Sequence, residues 1–240
     1  MIDIVKQTIK VTDLGLIDYG TAWDKQEAVM QEGLKIKSLK FTNPEDPAAN
    51  TNIQHQLYLC QHPHVYTLGK SGALENLLIN NQHLQDLGAT FYKTNRGGDI
   101  TYHGPGQMVA YPLLDLEQIY TDLGKYMRGL EEAIILTIAT FGLKGERLEG
   151  ATGVWLDASI PGKARKICAM GVKCSRWLTM HGLALNINSN LDFFNYIVPC
   201  GISDKGVTSI QKELGTIIDE EKVKSIFLEK FAEVFQLEIN

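Results

Sequence analysis

Cys200 stands between a proline and a glycine in the stretch Y-I-V-P-C-G-I-S-D-K-G, residues 196–206. A thiol on such a chain reversal is presented rather than packed, and its thiolate is a strong nucleophile. The other three cysteines, Cys60, Cys168 and Cys174, lie in strand-like runs and read as small apolar fillers. Lys166 lies in A-R-K-I-C-A-M-G-V-K, with apolar Ile167, Ala169, Met170 and Val172 around it. A lysine there is either a strand-edge residue with its head in water or a charge placed for chemistry. Composition alone does not separate it from Lys163, Arg165 and Lys173.

The densest chemistry is in R-G-G-D-I-T-Y-H-G-P-G-Q-M-V-A-Y-P, residues 96–112. Glycines 97, 98, 104 and 106 permit close backbone approach, and Arg96, Thr101, Tyr102, His103 and Gln107 supply hydrogen-bonding groups among them. Two tight turns would account for the glycines and the proline. They would not account for the polar side chains, which a ligand-lining loop does. His181, just before Gly182, reads as a turn or core histidine. Gly69-Lys70-Ser71 imitates the end of a phosphate loop, but the earlier glycine would fall at His64, and no G-x-G-x-x-G joins a strand to a helix. The sequence supplies no cradle for ATP.

These residues need a scaffold. Ile4, Val5, Ile9 and Val11 predict a first strand over residues 2–11. Asp18 caps a helix in which Tyr19, Ala22, Trp23, Gln26, Val29 and Met30 recur at helical spacing. The polar stretch 37–54 is expected to be an exposed loop or arm. L-Y-L-C with H-P-H-V-Y-T-L-G predicts a buried strand and its turn, and residues 75–87 a short helix closed by Gly88. A-T-F-Y-K-T-N and M-V-A-Y-P-L-L-D-L predict strands on either side of the glycine-rich connection. Thr121 or Asp122 opens a helix with Leu123, Tyr126, Met127, Leu130, Ile134, Ile138 and Phe141 on one side, closed by Gly142. Strands follow in A-T-G-V-W-L-D, A-R-K-I-C-A-M-G-V-K-C-S and G-L-A-L-N-I-N. A last helix starts near Asp219 and carries Val223, Ile226, Phe227, Phe231, Val234 and Phe235. The alternation is irregular and the run 144–188 is β-rich, which predicts an α+β fold with a mixed or antiparallel sheet. With no repeat or linker, residues 1–240 are expected to form one domain.

At 240 residues, 44% hydrophobic and 21% charged, the chain suits a globular protein with a substantial core. A net charge of −5 argues against nucleic acid or an anionic membrane as a partner. No run reaches the length of a membrane span, and the start has no signal-peptide core. Four cysteines without a C-x-x-C pair predict reduced thiols, no structural zinc and a cytoplasmic setting.

The glycine-rich stretch resembles the signature of the lipoyl(octanoyl) transferase family, the octanoyl-carrier-protein:protein N-octanoyltransferases. The resemblance extends to H-P-H-V-Y-T-L-G-K near residue 62, R-K-I-C-A-M-G-V-K, H-G-L-A-L-N-I-N and V-P-C-G-I, in family order from Tyr19 to Ser209. It implies a mixed β-sheet flanked by helices, related to the catalytic domains of biotin and lipoate protein ligases. It also implies acyl transfer through a thioester on Cys200, with Lys166 as its partner and no cofactor or metal. The implied donor is octanoyl-acyl carrier protein. The implied acceptors are lipoyl domains of 2-oxoacid dehydrogenases and the glycine cleavage H protein. The implied pocket uses Arg96, Gly97, Gly98, Asp99, Ile100, Thr101, Tyr102 and His103, then Ala169, Met170 and Gly171, then Gly182, Leu183 and Ala184. Two features depart from the family pattern. The polar stretch 37–54 is longer, and Cys168 stands where the family has alanine or another small residue.

A thioester donor is already activated, so making an amide from it needs no ATP, in keeping with the missing phosphate loop. A cysteine of pKa near 8.5 is only about 3% thiolate at pH 7. An adjacent ammonium that lowered the pKa by about two units would raise that share to roughly three quarters. Backbone N–H groups near Gly201 or Gly171 are candidates to hold a tetrahedral oxyanion. Three other readings predict different behaviour. An ATP-dependent lipoate or biotin ligase would consume ATP and tolerate loss of Cys200. A cysteine hydrolase using His103 or His181 would release free fatty acid. A binding module would have lost the chemistry.

Overall fold

The computed structural model describes residues 7–198 and 205–240, so Ile4, Val5 and Cys200 lie outside the described residues. The chain begins with β1 (Gln7–Leu16) and α1 (Tyr19–Thr42). Asp18 caps α1 by accepting from the Thr21 amide, as its position predicts. The helix does not stop before the polar stretch. It runs on through residues 37–42, and a 3-10 turn, Pro47–Asn50, follows. The buried stripe is Tyr19, Ala22, Gln26, Met30, Gly33 and Lys37, a regular three- and four-residue progression whose last two members are not apolar. Lys37 is held there by Asp115 at 2.5 Å and Glu117 at 3.0 Å.

Next come β2 (His55–Gln61) and β3 (Val65–Leu68), two strands where the sequence predicts one. They belong to different sheets. Between residues 74 and 86 a 3-10 turn, Leu74–Asn76, precedes a short α2 (Asn81–Asp86), so the expected helix is broken into two pieces. β4 (Thr90–Lys93) and β6 (Gln107–Leu113) are strands as predicted, but β5 (Ile100–His103) lies inside the glycine-rich connection. β5 pairs antiparallel with β3, which pairs parallel with β4, making a small three-stranded sheet.

Asp122 caps α3 (Leu123–Ala139). Then follow β7 (Glu146–Leu148), β8 (Ala151–Leu156), β9 (Arg165–Ser175) and β10 (Leu178–Asn186). Arg176 and Trp177 join β9 to β10 with φ of 48° and 64°, the two positive angles a type I′ hairpin turn needs. The described chain ends with β11 (Gly206–Val207), α4 (Ile210–Leu214), α5 (Glu220–Phe235) and β12 (Leu237–Ile239).

The large sheet runs in the order β12-β1-β2-β6-β10-β9-β8-β7, parallel at β12-β1-β2 and antiparallel beyond. β10 accompanies β9 as far as the Leu185–Cys168 pair, and β11 takes the place beside Arg165 and Lys166. The main core lies between this sheet and α3 and α5, built on Leu130, Ile134, Ile138, Val223, Phe227 and Phe231. Two smaller clusters on Ala22 and Met30 fix α1 against β6 and β10, and a fourth packs Tyr66, Tyr102, Phe193 and Phe194 around the small sheet. This is the expected α+β architecture, a mixed sheet flanked by helices. Among the described residues no helix is long and apolar enough to cross a membrane.

Candidate active site

A cleft opens where the small sheet meets β6, β9, β10 and β11, with about 920 Å³ of space between its atoms, counting the open mouth. Its walls include Arg96, Gly98, Asp99, Ile100, Thr101 and His103 from the glycine-rich stretch. They also include Lys166, Ala169, Met170 and Gly171 from β9, and Gly182, Leu183 and Ala184 from β10. Three segments, the first more than sixty residues before the second and the third eleven positions after it, therefore converge on one space. Gly97 and Tyr102, also expected in the pocket, are not among the lining residues. Tyr102 points to the other face of β5, where its hydroxyl meets His64 Nδ1 at 2.7 Å and its ring stacks on Phe193. Gly97 serves as a tether, its N–H donating to the Val172 carbonyl at 2.9 Å.

The glycines set how closely these walls meet. A Cβ on Gly171 would stand 2.7 Å from the Gly97 carbonyl oxygen, and one on Gly69 would stand 2.2 Å from the Gly98 carbonyl oxygen. Neither backbone oxygen can move aside cheaply, so both positions require glycine. The loop is further tied by Arg96, whose Nη2 donates to the Thr67 carbonyl at 2.6 Å and the Thr67 hydroxyl at 2.9 Å. The sequence marks Arg96 as a ligand contact, yet its guanidinium also builds the loop.

The floor is a directed hydrogen-bond chain. Gln107 Nε2 donates to Asn186 Oδ1 at 2.8 Å, so Gln107 Oε1 is left to accept from His103 Nδ1, also 2.8 Å away. That fixes the His103 tautomer and leaves Nε2 as an acceptor, 3.4 Å from the Thr67 hydroxyl. Asn186 Nδ2 then donates to the Thr208 carbonyl at 3.0 Å, and the Thr208 N–H donates to the Lys166 carbonyl at 3.0 Å. The loop and the main chain of Lys166 are thus linked through the side chains of His103, Gln107 and Asn186 and the main chain of Thr208. Burial pushes His103 down to about 3, with neighbouring His62 adding to the effect. Its ring stacks on Tyr19, with centroids 5.9 Å apart.

Lys166 sits at the other wall. Its Nζ lies 4.6 Å above the centre of the Trp155 ring, across the β8–β9 pairing. On its other side Val207 pairs with Lys166 in register. Arg165 clamps this strand pair with two 2.6 Å bonds to Glu213, and the Thr208 hydroxyl donates to the same carboxylate. The Arg165 guanidinium, opposed by burial and helped by the Thr208 bond, holds the Glu213 carboxyl below the usual range.

Several lining residues carry no sequence signal for a site. Tyr19, Val109, Tyr111, Trp155 and Phe194 line the cleft yet read from sequence as ordinary core residues. His181, taken as a turn or core histidine, is in the wall with φ of 58° inside a strand. Its Nε2 meets Asn95 Oδ1 at 2.7 Å, and burial pushes it down to about 3. Cys60 and Cys168 are buried, and burial raises both thiols, as expected of fillers. Among the described residues no group of three or more His, Cys, Asp or Glu is arranged to hold a metal.

Residues 18–232 match the family described as the lipoyl protein ligase A/B catalytic domain. The octanoyltransferase of Cytophaga hutchinsonii is 52% identical over 234 residues, covering 97% of this chain and 95% of the relative. The bipartite lipoate protein ligase of Thermoplasma acidophilum superposes with a TM-score of 0.66 at 12% identity, covering 98% of this chain and 86% of that one. The biotin protein ligase of Aquifex aeolicus gives a TM-score of 0.52 at 13% identity, over 95% of this chain and 70% of that one. At such low identity the two ligases show a shared fold. The match over nearly the whole length, at half the positions identical, shows the lineage: this chain belongs to the octanoyltransferase family, within the lipoyl protein ligase A/B catalytic domain family.

Proposed function

We propose that this acyltransferase carries an octanoyl or lipoyl group from acyl carrier protein to a lysine of a lipoyl domain, through a thioester on Cys200. The acceptors by this reading are lipoyl domains of 2-oxoacid dehydrogenases and the glycine cleavage H protein, and the step is the first of endogenous protein lipoylation. The observation that supports it most is that Lys166 shares one cleft with the residues of all three pocket segments. The sequence adds that Cys200 lies seven residues before Val207, the pairing partner of Lys166.

In the first half-reaction the Cys200 thiolate attacks the donor thioester carbonyl. The new C–S bond forms as the old one breaks, and the departing thiolate takes a proton from the Lys166 ammonium. In the second, the neutral ε-amine of the acceptor lysine attacks the enzyme thioester. Its surplus proton passes to Lys166, Cys200 leaves as thiolate, and an amide remains. The cycle restores both groups and uses no ATP. Hydrolysis with His103 or His181 as base is poorly supported. Both imidazoles are pushed to about 3, which makes them weak bases near neutral pH.

Intact-protein mass spectrometry after mixing with octanoyl-acyl carrier protein, without ATP, tests the reading. The expected result is one octanoyl adduct on Cys200 that disappears when a lipoyl domain is added. An absolute need for ATP, or an adduct that persists in Cys200→Ala, would overturn it.

A further inference from the structure

A lysine carries its charge on a long, flexible stem, and its head spreads over many positions unless something holds it. Three features of the β8–β9 pair seat Lys166. The first is a slip in the pairing. Val154 stands opposite Cys168, but Trp155 stands opposite Lys166, so Ile167 is an extra residue that bulges β9. Ile167 and Cys168 both lie in the main core with Val154, and the next residue, Lys166, turns to the cleft with Trp155. Without the bulge Lys166 would fall opposite Leu156, a residue of the core. The second feature is Gly153, two residues before Trp155 and so on the same face of β8. Its missing side chain makes room for the lysine stem, since a Cβ there would lie 3.6 Å from Lys166 Cδ. The third is the Trp155 ring, 3% exposed, with Lys166 Nζ 4.6 Å above its centre and within cation–π range. The Gly153 N–H donates to the fully buried Glu131 at 3.2 Å, which pins this part of β8 to α3.

We propose that Trp155 is a positioning residue for the transfer reaction, its ring face holding the Lys166 ammonium in one place within the cleft. This rests on the reading above, in which Lys166 gives up a proton and takes one back in each cycle. The attraction acts on the charged form, so each returning proton draws the side chain back onto the ring instead of out to solvent at the cleft mouth. The ring acts on the reaction through Lys166 alone. Weakening it should therefore lower kcat and kcat/KM together and leave KM little changed.

Fluorine atoms added stepwise to the indole at position 155 withdraw charge from the ring face while nearly keeping its shape, which guards against loss of folding. The expected result is a graded fall in kcat for octanoyl transfer, reaching about 10-fold in the tetrafluoro protein, with KM within about two-fold of the parent and the melting temperature unchanged. In a Lys166→Ala background the same series should be flat, because a residue that acts through Lys166 has nothing left to act on. Trp155→Phe, which keeps a weaker aromatic face, should fall between the parent and Trp155→Leu. The ε-methylene protons of Lys166 should show an upfield ring-current shift in the parent that Trp155→Leu abolishes. A flat fluorine series, an equally steep series in Lys166→Ala, or no ring-current shift in the parent would overturn the proposal, while loss of transfer in Lys166→Ala would still support the proton-exchange role. Full transfer by Lys166→Ala would overturn both.

Discussion

Lys37 and Lys166 both hold an ammonium below the protein surface, but in different company. Lys37 is 4% exposed, and its Nζ meets Asp115 at 2.5 Å and Glu117 at 3.0 Å. It fastens the last turns of α1, through those two carboxylates, to the segment that follows β6. Lys166 is half-buried, rests over the Trp155 ring and borders a cleft. The contrast teaches what each setting is good for. A lysine gripped by two carboxylates is held in place by them and serves the fold. A lysine over a ring at the edge of a cleft can meet a substrate and, in the proposed cycle, exchange a proton with it.

The largest effect should come from breaking the Lys166 side of this contrast. Lys166→Ala is expected to cut octanoyl transfer by roughly 10²- to 10⁴-fold, the range of a lost acid–base group. Its thermal midpoint should stay within about 2 °C of the parent, because the side chain is only half-buried. Activity lost together with a large drop in melting temperature would give Lys166 a structural role instead. Lys37→Met should do the reverse. It leaves Asp115 buried without its charge partner and should cost about 3–5 kcal/mol in urea denaturation, with transfer per folded molecule unchanged. The double variant Lys37→Met with Asp115→Asn should recover part of that loss.

The pattern of what the sequence made visible follows the same division. The buried stripe of α5 is apolar throughout and that of α3 is apolar apart from Glu131 and Thr137, so both helices and their caps were legible. The far half of α1 was not, because Gly33 and Lys37 hold the stripe positions that an apolar residue would mark. β5 was hidden for a related reason. Its pairing with β3 is a long-range contact, and the glycines on either side read as turn signals. The convergence of Arg96, Lys166 and Gly182 on one site came from resemblance. Spacing alone could not show that β9 and β10 lie side by side beneath the loop. The chain from His103 through Gln107 and Asn186 to Thr208 depends on cross-strand register, which no local pattern reveals.

The buried histidines give an intermediate effect that depends on pH. Burial holds His103 and His181 at about 3, below the ordinary value of about 6.5 expected in the unfolded chain. Between those values the unfolded state binds protons that the folded state does not. Their contribution to stability is therefore complete above about pH 6.5 and is lost as pH falls towards 3. At pH 5 the loss should be on the order of 2 kcal/mol per histidine. Urea midpoints at pH 7.5 and pH 5 measure it, and equal stability at the two would contradict the neutral, buried assignment.

Gly33→Ala should have the smallest effect and tests how tightly the Lys37 end of α1 is packed. An added Cβ would come within 2.8 Å of Leu178 Cδ1, the mobile end of a side chain. The clash and the gain in helix propensity oppose each other, so a net change within about 1 kcal/mol is expected in thermal denaturation. A larger loss would mean that Leu178 cannot yield.

The pairing of Lys166 with Cys200 is tested most directly by the rate of iodoacetamide alkylation of Cys200 against pH, compared for the parent, Lys166→Ala and Lys166→Arg. The account predicts that Lys166→Ala moves the alkylation midpoint upward and slows the reaction near neutral pH. Lys166→Arg, which keeps the charge, should retain part of the fast reaction yet fail to pass the acyl group to an amine. Superimposable profiles for the parent and Lys166→Ala would contradict the account.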